Sequence, residues 1–296
     1  MILSAVFPTY LRGSLEDGAD RLKEIGYEGV GFTSDPRYGF YLLAAKEDTI
    51  EYMRNVFHSK NLKIGQIYHG ANLISPNEKI RSKSINAVKK VIKIAEQLHC
   101  PCVAGSVGSL VHDYYARAFH PNNLSEKGWK LTIKSINHVL EAAEDAKVNF
   151  CVQPAMYSSV NSLEITKELM NVIDHPNLKV CLDPVNFIMG STELYYNNAS
   201  FLNEMFETLG EYIYTAHAKD LILDYEERGS FTALVFRETV AGEGNMDYLT
   251  FLKRLKELDS EICLLVEHLG SDEQYVKAYA NISSLMRKLN TKNGSF

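Results

Sequence analysis

Ile262-Cys263-Leu264-Leu265-Val266-Glu267 is a row of apolar residues closed by a carboxylate, and Val180-Cys181-Leu182-Asp183 has the same form. A strand with one wet face alternates apolar and polar residues, whereas a strand buried on both faces is apolar throughout. Both segments are therefore predicted as strands of a sheet covered by helices. Working outward, similar short runs recur at 3–8, 29–33, 63–69, 102–105, 149–153, 179–183, 212–218 and 262–267, which makes eight. Stretches of helical periodicity lie between them. In 15–25, Leu15, Ala19, Leu22 and Ile25 share a face and Gly26 follows as a C-terminal cap, and in 77–98 the stripe runs from Ile80 to Leu98. Further helices are expected at 48–59, 126–146, 162–172, 199–209, 248–258 and 273–289.

Strand alternating with helix marks repeated βα units on a parallel sheet. An open doubly wound sheet has the same local pattern, but eight units with no Gly-rich dinucleotide turn after the first strand favour the α/β (β/α)8 barrel, the TIM-barrel architecture. The reading takes 1–289 as one barrel domain and 290–296 as a flexible tail. The longest stretch without an evident element lies between His217 and Asp247, and in a barrel it falls on the catalytic face as a loop.

Composition limits the partners. The 296 residues carry 46% hydrophobic and 23% charged side chains with a formal net charge of −6, so the chain has the makings of a large core and lacks the positive field used on nucleic-acid backbones. No apolar run approaches the roughly 18–20 residues of a membrane span, and the start lacks a secretory signal, so a cytoplasmic location is expected. Five cysteines suit reduced, buried small hydrophobes, because Cys100-Pro101-Cys102 lacks the spacing and the second pair of a zinc site.

Four polar residues end or closely follow predicted strands: Gln153, Asp183, His217 and Glu267, at intervals of 30, 34 and 50 residues. Each interval fits one βα unit, so consecutive strands deliver all four to one rim. Two carboxylates, an imidazole and an amide oxygen suit Mn²⁺, Mg²⁺ or Zn²⁺. Structural roles also fit: Asp183 capping the turn at Pro184, His217 as a satisfied core histidine, Gln153 and Glu267 bonded to neighbouring strand ends. His69, Asn186 and Lys219 lie near the same rim and suit a polyol or phosphate-bearing ligand. A surface ion pair of Lys219 with Asp220 or Asp224 is an equal possibility. Phe7 and Phe32 are expected near the rim, as pocket wall or as packing. If the last strand continues, His268 points away from the site, toward the surface or a helix.

Four segments, Val180-Cys181-Leu182-Asp183-Pro184-Val185-Asn186, His217-Ala218-Lys219-Asp220, Val240-Ala241-Gly242-Glu243-Gly244-Asn245-Met246-Asp247-Tyr248 and Val266-Glu267-His268-Leu269-Gly270, carry a resemblance. In order and spacing they resemble the sugar phosphate isomerase/epimerase family with the xylose-isomerase-like barrel. The resemblance implies a divalent ion (Mn²⁺, Mg²⁺, Co²⁺ or Zn²⁺) held by Gln153, Asp183, His217 and Glu267, and a small sugar or sugar phosphate as substrate. It implies isomerases, epimerases, polyol dehydratases or abasic-site nucleases as activities, and the acidic charge argues against the last. In the epimerases the first and last ligand positions are glutamates that shuttle the proton. Gln153 departs from that pattern, and so does Asn186, where many members have histidine. The expectation is thus an enediolate chemistry with Glu267 as base, His69 or Lys219 as substitutes for the second base, and aldose–ketose isomerisation favoured. Epimerisation, dehydration and non-catalytic sugar binding are the alternatives, and self-association is left open.

Overall fold

The computed structural model describes residues 1–8, 13–35, 41–115, 118–259 and 261–292. Eight parallel strands close into a barrel: β1 (Ile2–Val6), β2 (Gly29–Thr33), β3 (Lys63–Tyr68), β4 (Cys102–Gly105), β5 (Asn149–Val152), β6 (Leu178–Leu182), β7 (Ile213–Ala218) and, as the eighth stave, β10 (Cys263–Val266), which pairs with both β7 and β1. Every predicted strand is present, with ends within two residues of the expectation. The outer helices are α1 (Leu15–Ile25), α2 (Glu47–Ser59), α3 (Glu78–Gln97), α4 (Glu126–Ala146), α5 (Leu163–Ile173), α8 (Asn198–Leu209), α9 (Tyr248–Leu258) and α10 (Asp272–Lys292). Two single-turn helices, α6 (Pro184–Ile188) and α7 (Thr192–Tyr196), follow β6 and were not expected.

Local chemistry sets the boundaries. Ser14 and Asp17 form a reciprocal capping box at the start of α1, and Gly26 ends it with φ 115°. Ser125, Ser162 and Asp247 accept from backbone N–H groups at the starts of α4, α5 and α9. Inside the barrel, Gly31 and Gly65 leave room that a side chain would fill. A Cβ on Gly31 would lie 2.1 Å from Leu265 Cδ2, and one on Gly65 would lie 2.2 Å from Cys263 Sγ. All five cysteines are free and buried.

One expectation is corrected here. The stretch after His217 is a β-ribbon in place of a loop: β8 (Asp220–Arg228) and β9 (Phe231–Thr239) pair antiparallel, with Tyr225 opposite Leu234. Gly229-Ser230 joins them, with Gly229 at φ 64°. One face carries Leu221, Leu223 and Phe236, with Phe236 against Tyr195 at a centroid distance of 5.9 Å. On the other, Arg237 bonds to Asp224 and Glu226. At the other end of the chain α10 runs on to Lys292, and residues 293–296 lie outside the described residues.

Candidate metal centre

The strand ends bring the four residues together. Asp183 follows β6 and is fully buried, His217 projects from β7, Glu267 follows β10, and Gln153 follows β5. One ligand atom each from Asp183, His217 and Glu267 lies within 4.8 Å of the others. His217 Nδ1 is 3.1 Å from Glu267 Oε2 and 3.9 Å from Asp183 Oδ2. Gln153 Nε2 is 3.0 Å from Asp183 Oδ2 and 2.9 Å from His217 Nδ1. Two carboxylates and an imidazole form a donor set for a divalent cation, and Asp183 Oδ1 is buried with no hydrogen-bond partner among the described residues. A buried anionic oxygen without a donor is costly, and a cation beside it removes that cost. The residues present fit such an ion.

Gln153 stands differently from the expectation. Its amide nitrogen, not its oxygen, faces Asp183 and His217, so it is a donor to the ligands and becomes a ligand only if the amide turns by half a circle. Asp183 occupies the N-cap position of α6 without making a side-chain cap bond, so its carboxylate serves the centre and not the turn.

Lys219 supplies the balancing charge. Its side chain is 3% exposed, and its Nζ lies 2.8 Å from Asp183 Oδ2, 3.3 Å from Glu267 Oε1 and 3.5 Å from Glu238 Oε1. It also donates to Asn186 Oδ1 at 3.0 Å, and Asn186 Nδ2 donates to the Pro154 carbonyl. The possibility of a surface pair with Asp220 or Asp224 is thereby corrected. Asp220 accepts instead from the backbone N–H groups of Leu221, Gly242, Gly244 and Met246, which binds the Ala241-Gly242-Glu243-Gly244 turn to the end of β7, and Asp224 pairs with Arg237.

Burial works against each charge here, and the partners decide the outcome. Burial lowers the Lys219 pKa, but Asp183, Glu267 and Glu238 outweigh it and hold the ammonium well above its usual range. Burial raises the Glu267 carboxyl, and His217, His268 and Lys219 outweigh it, so Glu267 stays ionised far below the ordinary carboxylate range. For Asp183 burial prevails over Lys219 and the pKa is raised.

A cavity of about 350 Å³ opens over the centre. Gln153, Asn186, Lys219 and Glu267 line it, with Phe7 and Tyr68 among its apolar wall, whereas Asp183 and His217 do not reach its surface. Phe32 is core packing, stacked on Phe7 at a centroid distance of 5.9 Å. His69 stays behind the wall: it is buried, Nδ1 meets the Ser34 carbonyl at 2.9 Å and Nε2 meets the Tyr114 hydroxyl at 3.2 Å. Burial pushes its pKa down.

Three residues escaped the sequence reading. Glu238, delivered by β9, lines the cavity and holds His268 Nδ1 at 2.5 Å. His268 also lines the cavity, which corrects its expected outward direction: β10 ends at Val266 and the backbone turns at His268 to φ 60°, so strand alternation does not apply. The β-rich runs on either side of Gly229-Ser230 were a usable signal for the ribbon that carries Glu238. Gln66, inside β3, contacts His217 Nε2 at 2.8 Å, and nothing in its local sequence marks it.

A family model described as xylose isomerase-like TIM barrel matches residues 19–289. Among solved structures, the D-psicose 3-epimerase from Clostridium cellulolyticum H10 is 15% identical, with 97% of this chain and 99% of that chain covered at a TM-score of 0.72. The probable 3-DHS dehydratase AsbF from Bacillus anthracis is 18% identical, with coverages of 97% and 99% and a TM-score of 0.73. The IOLI protein, solved with a zinc atom, is 19% identical over 100% of both chains at a TM-score of 0.70. No curated protein matches the chain. Among the described residues no helix is long and apolar enough to cross a membrane.

Proposed function

Because the chain belongs to the family of xylose isomerase-like TIM barrels, we propose that it is a divalent-cation-dependent enzyme acting on a small sugar or sugar phosphate, with aldose–ketose isomerisation as its reaction. The observation that carries this reading is the convergence of Asp183, His217 and Glu267 within 4.8 Å beneath a sugar-sized cavity. A cation held by these three residues would polarise the carbonyl and hydroxyl oxygens of the substrate and favour the enediolate that forms when the adjacent carbon loses its proton.

The chain's own residues divide the remaining work. Glu267 is the member of the cluster that reaches the cavity, and as a carboxylate it can take the proton and return it to the neighbouring carbon. Lys219, kept cationic by its carboxylates, offsets negative charge developing on a substrate oxygen. Asn186 offers an amide to a substrate hydroxyl at the cavity wall. Inversion at one carbon needs a second base on the opposite face. Gln153 lines the cavity but cannot accept a proton, and His69 has both ring nitrogens engaged behind the wall. One base suffices for transfer between neighbouring carbons, which favours isomerisation over the 3-epimerisation named for the Clostridium relative.

The test is a screen of phosphorylated and unphosphorylated pentoses, hexoses and ketoses with Mn²⁺, Mg²⁺, Co²⁺ or Zn²⁺ in deuterated water, read by NMR. Deuterium at the carbon next to the carbonyl, lost in Glu267→Gln, is the expected result. Efficient epimerisation that survives His69→Ala overturns the one-base argument, loss of water from the substrate points to dehydration, and saturable sugar binding without exchange points to a non-catalytic barrel.

A further inference from the structure

Gln66 lies within the barrel, 2% exposed, and its amide touches three groups there. Its Nε2 is 2.8 Å from His217 Nε2, while its Oε1 accepts from Thr215 Oγ1 at 2.7 Å and from Cys181 Sγ at 3.4 Å. On the other edge of the same ring, Nδ1 meets the Gln153 amide nitrogen at 2.9 Å and Glu267 Oε2 at 3.1 Å. Two amide nitrogens thus face the two nitrogens of a single imidazole. An amide nitrogen only donates, a neutral imidazole has one acceptor, and an imidazolium has none. As they stand, the ring accepts from Gln66 at Nε2 only with its proton on Nδ1, where it meets Glu267 and closes that nitrogen to a cation; a ring that ligates through Nδ1 needs an oxygen at its far nitrogen, so one amide must turn.

The surroundings decide which. Gln153 Nε2 also donates to Asp183 Oδ2 at 3.0 Å, and an ionised carboxylate only accepts, so its orientation is held. Gln66 is not held in that way. A hydroxyl and a thiol both donate and accept, so Thr215 and Cys181 can serve either face of its amide.

We infer that Gln66 is the positioning residue of the cation site: with its carbonyl oxygen turned to His217 Nε2–H, it keeps the ring proton on Nε2 and leaves the Nδ1 lone pair directed at Asp183 and Glu267. The inference rests on the reading of Asp183, His217 and Glu267 as ligands. In the opposite orientation, with the amide nitrogen toward the ring, the proton sits on Nδ1, is donated to Glu267 and blocks ligation. Turning the amide exchanges which ring nitrogen faces an acceptor. Thr215 and Cys181 reverse their hydrogens with it. A ligating histidine needs its far nitrogen held by an acceptor, and loss of such a partner weakens metal affinity about 10–100-fold.

The test uses the full chain with Zn²⁺ alone as a diamagnetic probe. In wild-type protein labelled with ¹⁵N in histidine and glutamine, titration should give His217 a metal-bound Nδ1 and a protonated Nε2, and the Gln66 side-chain amide signals should shift in the same titration. Calorimetry should show Gln66→Met, which keeps the volume without the acceptor, binding about 10–100-fold more weakly. Gln66→Glu, an acceptor at both oxygens, should bind at least as tightly as wild type. A Gln66 that merely fills space predicts the reverse order, with methionine tolerated and a buried carboxylate not. The inference is overturned if Gln66→Met binds as tightly as wild type, if Zn²⁺-bound His217 carries no proton on Nε2, or if the Gln66 amide signals do not respond. Should the variants fail to fold, the wild-type titration decides alone. No Zn²⁺ binding by wild type sinks the ligand reading and this inference together, whereas equal binding by wild type and Gln66→Met removes only the inference.

Discussion

In Lys219→Met the aliphatic stem is kept and the ammonium is lost. That ammonium lies 2.8 Å from Asp183 Oδ2 and 3.3 Å from Glu267 Oε1, and Asp183 is 0% exposed, so water cannot fully replace it. Leaving a buried charge without its partner costs about 3–5 kcal/mol, which for a chain of this size lowers the melting temperature by roughly 5–15 °C. The pH dependence has a definite sign. Burial already raises the Asp183 pKa against the pull of Lys219, and loss of Lys219 raises it further. A carboxyl whose pKa is higher folded than unfolded favours the folded state as it takes up its proton, so the deficit of the variant should shrink as the pH falls from about 7.5 toward 5. A divalent cation restores the missing charge, so saturating Mn²⁺ should raise the melting temperature of the variant more than that of wild type. Circular-dichroism melts in chelator and in Mn²⁺ across this pH range measure all three effects. A variant that melts within about 2 °C of wild type in chelator at neutral pH, with no differential response to Mn²⁺, would refute the charge balance described for the centre.

Asp183→Ala and His217→Ala should abolish uptake of a divalent ion, and Gln153→Ala should weaken it less, because Gln153 presents a nitrogen to the site; elemental analysis and calorimetric titration give the order. Asp220→Ala removes the acceptor of four backbone N–H groups, each costing about 1–3 kcal/mol when left buried and unpaired, so the urea midpoint should drop sharply; an unchanged midpoint would show that the turn holds itself. His69 has a lowered pKa in the folded chain, so below its unfolded pKa of about 6.5 the unfolded state takes up the proton first and stability falls. His69→Gln cannot titrate and should show a shallower loss of stability between pH 7 and 5, and equal slopes in the two proteins would discard His69 as a contributor to acid sensitivity.

The barrel was legible along the chain because each stave is buried on both faces and therefore apolar at nearly every position, as in Ile262-Cys263-Leu264-Leu265-Val266. Gln153, Asp183, His217 and Glu267 stood out for the same reason: a polar residue at the end of such a run has to be explained by something it meets. The ribbon that carries Glu238 was harder to recognise, since the charges of Asp220, Asp224, Glu226, Glu227 and Arg228 resemble a solvated loop, although Leu221, Leu223 and Tyr225 alternate with residues of the opposite face.

Other features were settled only when the barrel closed. Whether Lys219 meets Asp183 or Asp220 depends on which way one side chain turns at the end of β7, and a sequence holds no rotamer. His69 ends a stave as the other candidates do, yet its ring is drawn behind the wall by Ser34 and Tyr114, partners 35 and 45 residues away. Gln66 lies 151 residues from His217, in a segment whose polarity has no local meaning. Its significance arises because closing eight staves places it against the far edge of an imidazole whose near edge faces two carboxylates. Sequence by itself determined the architecture and the rim residues, through burial and period; the pairing of charges and the direction of hydrogen bonds inside the rim were decided by tertiary structure, because those energies depend on ångström distances between residues the chain keeps far apart.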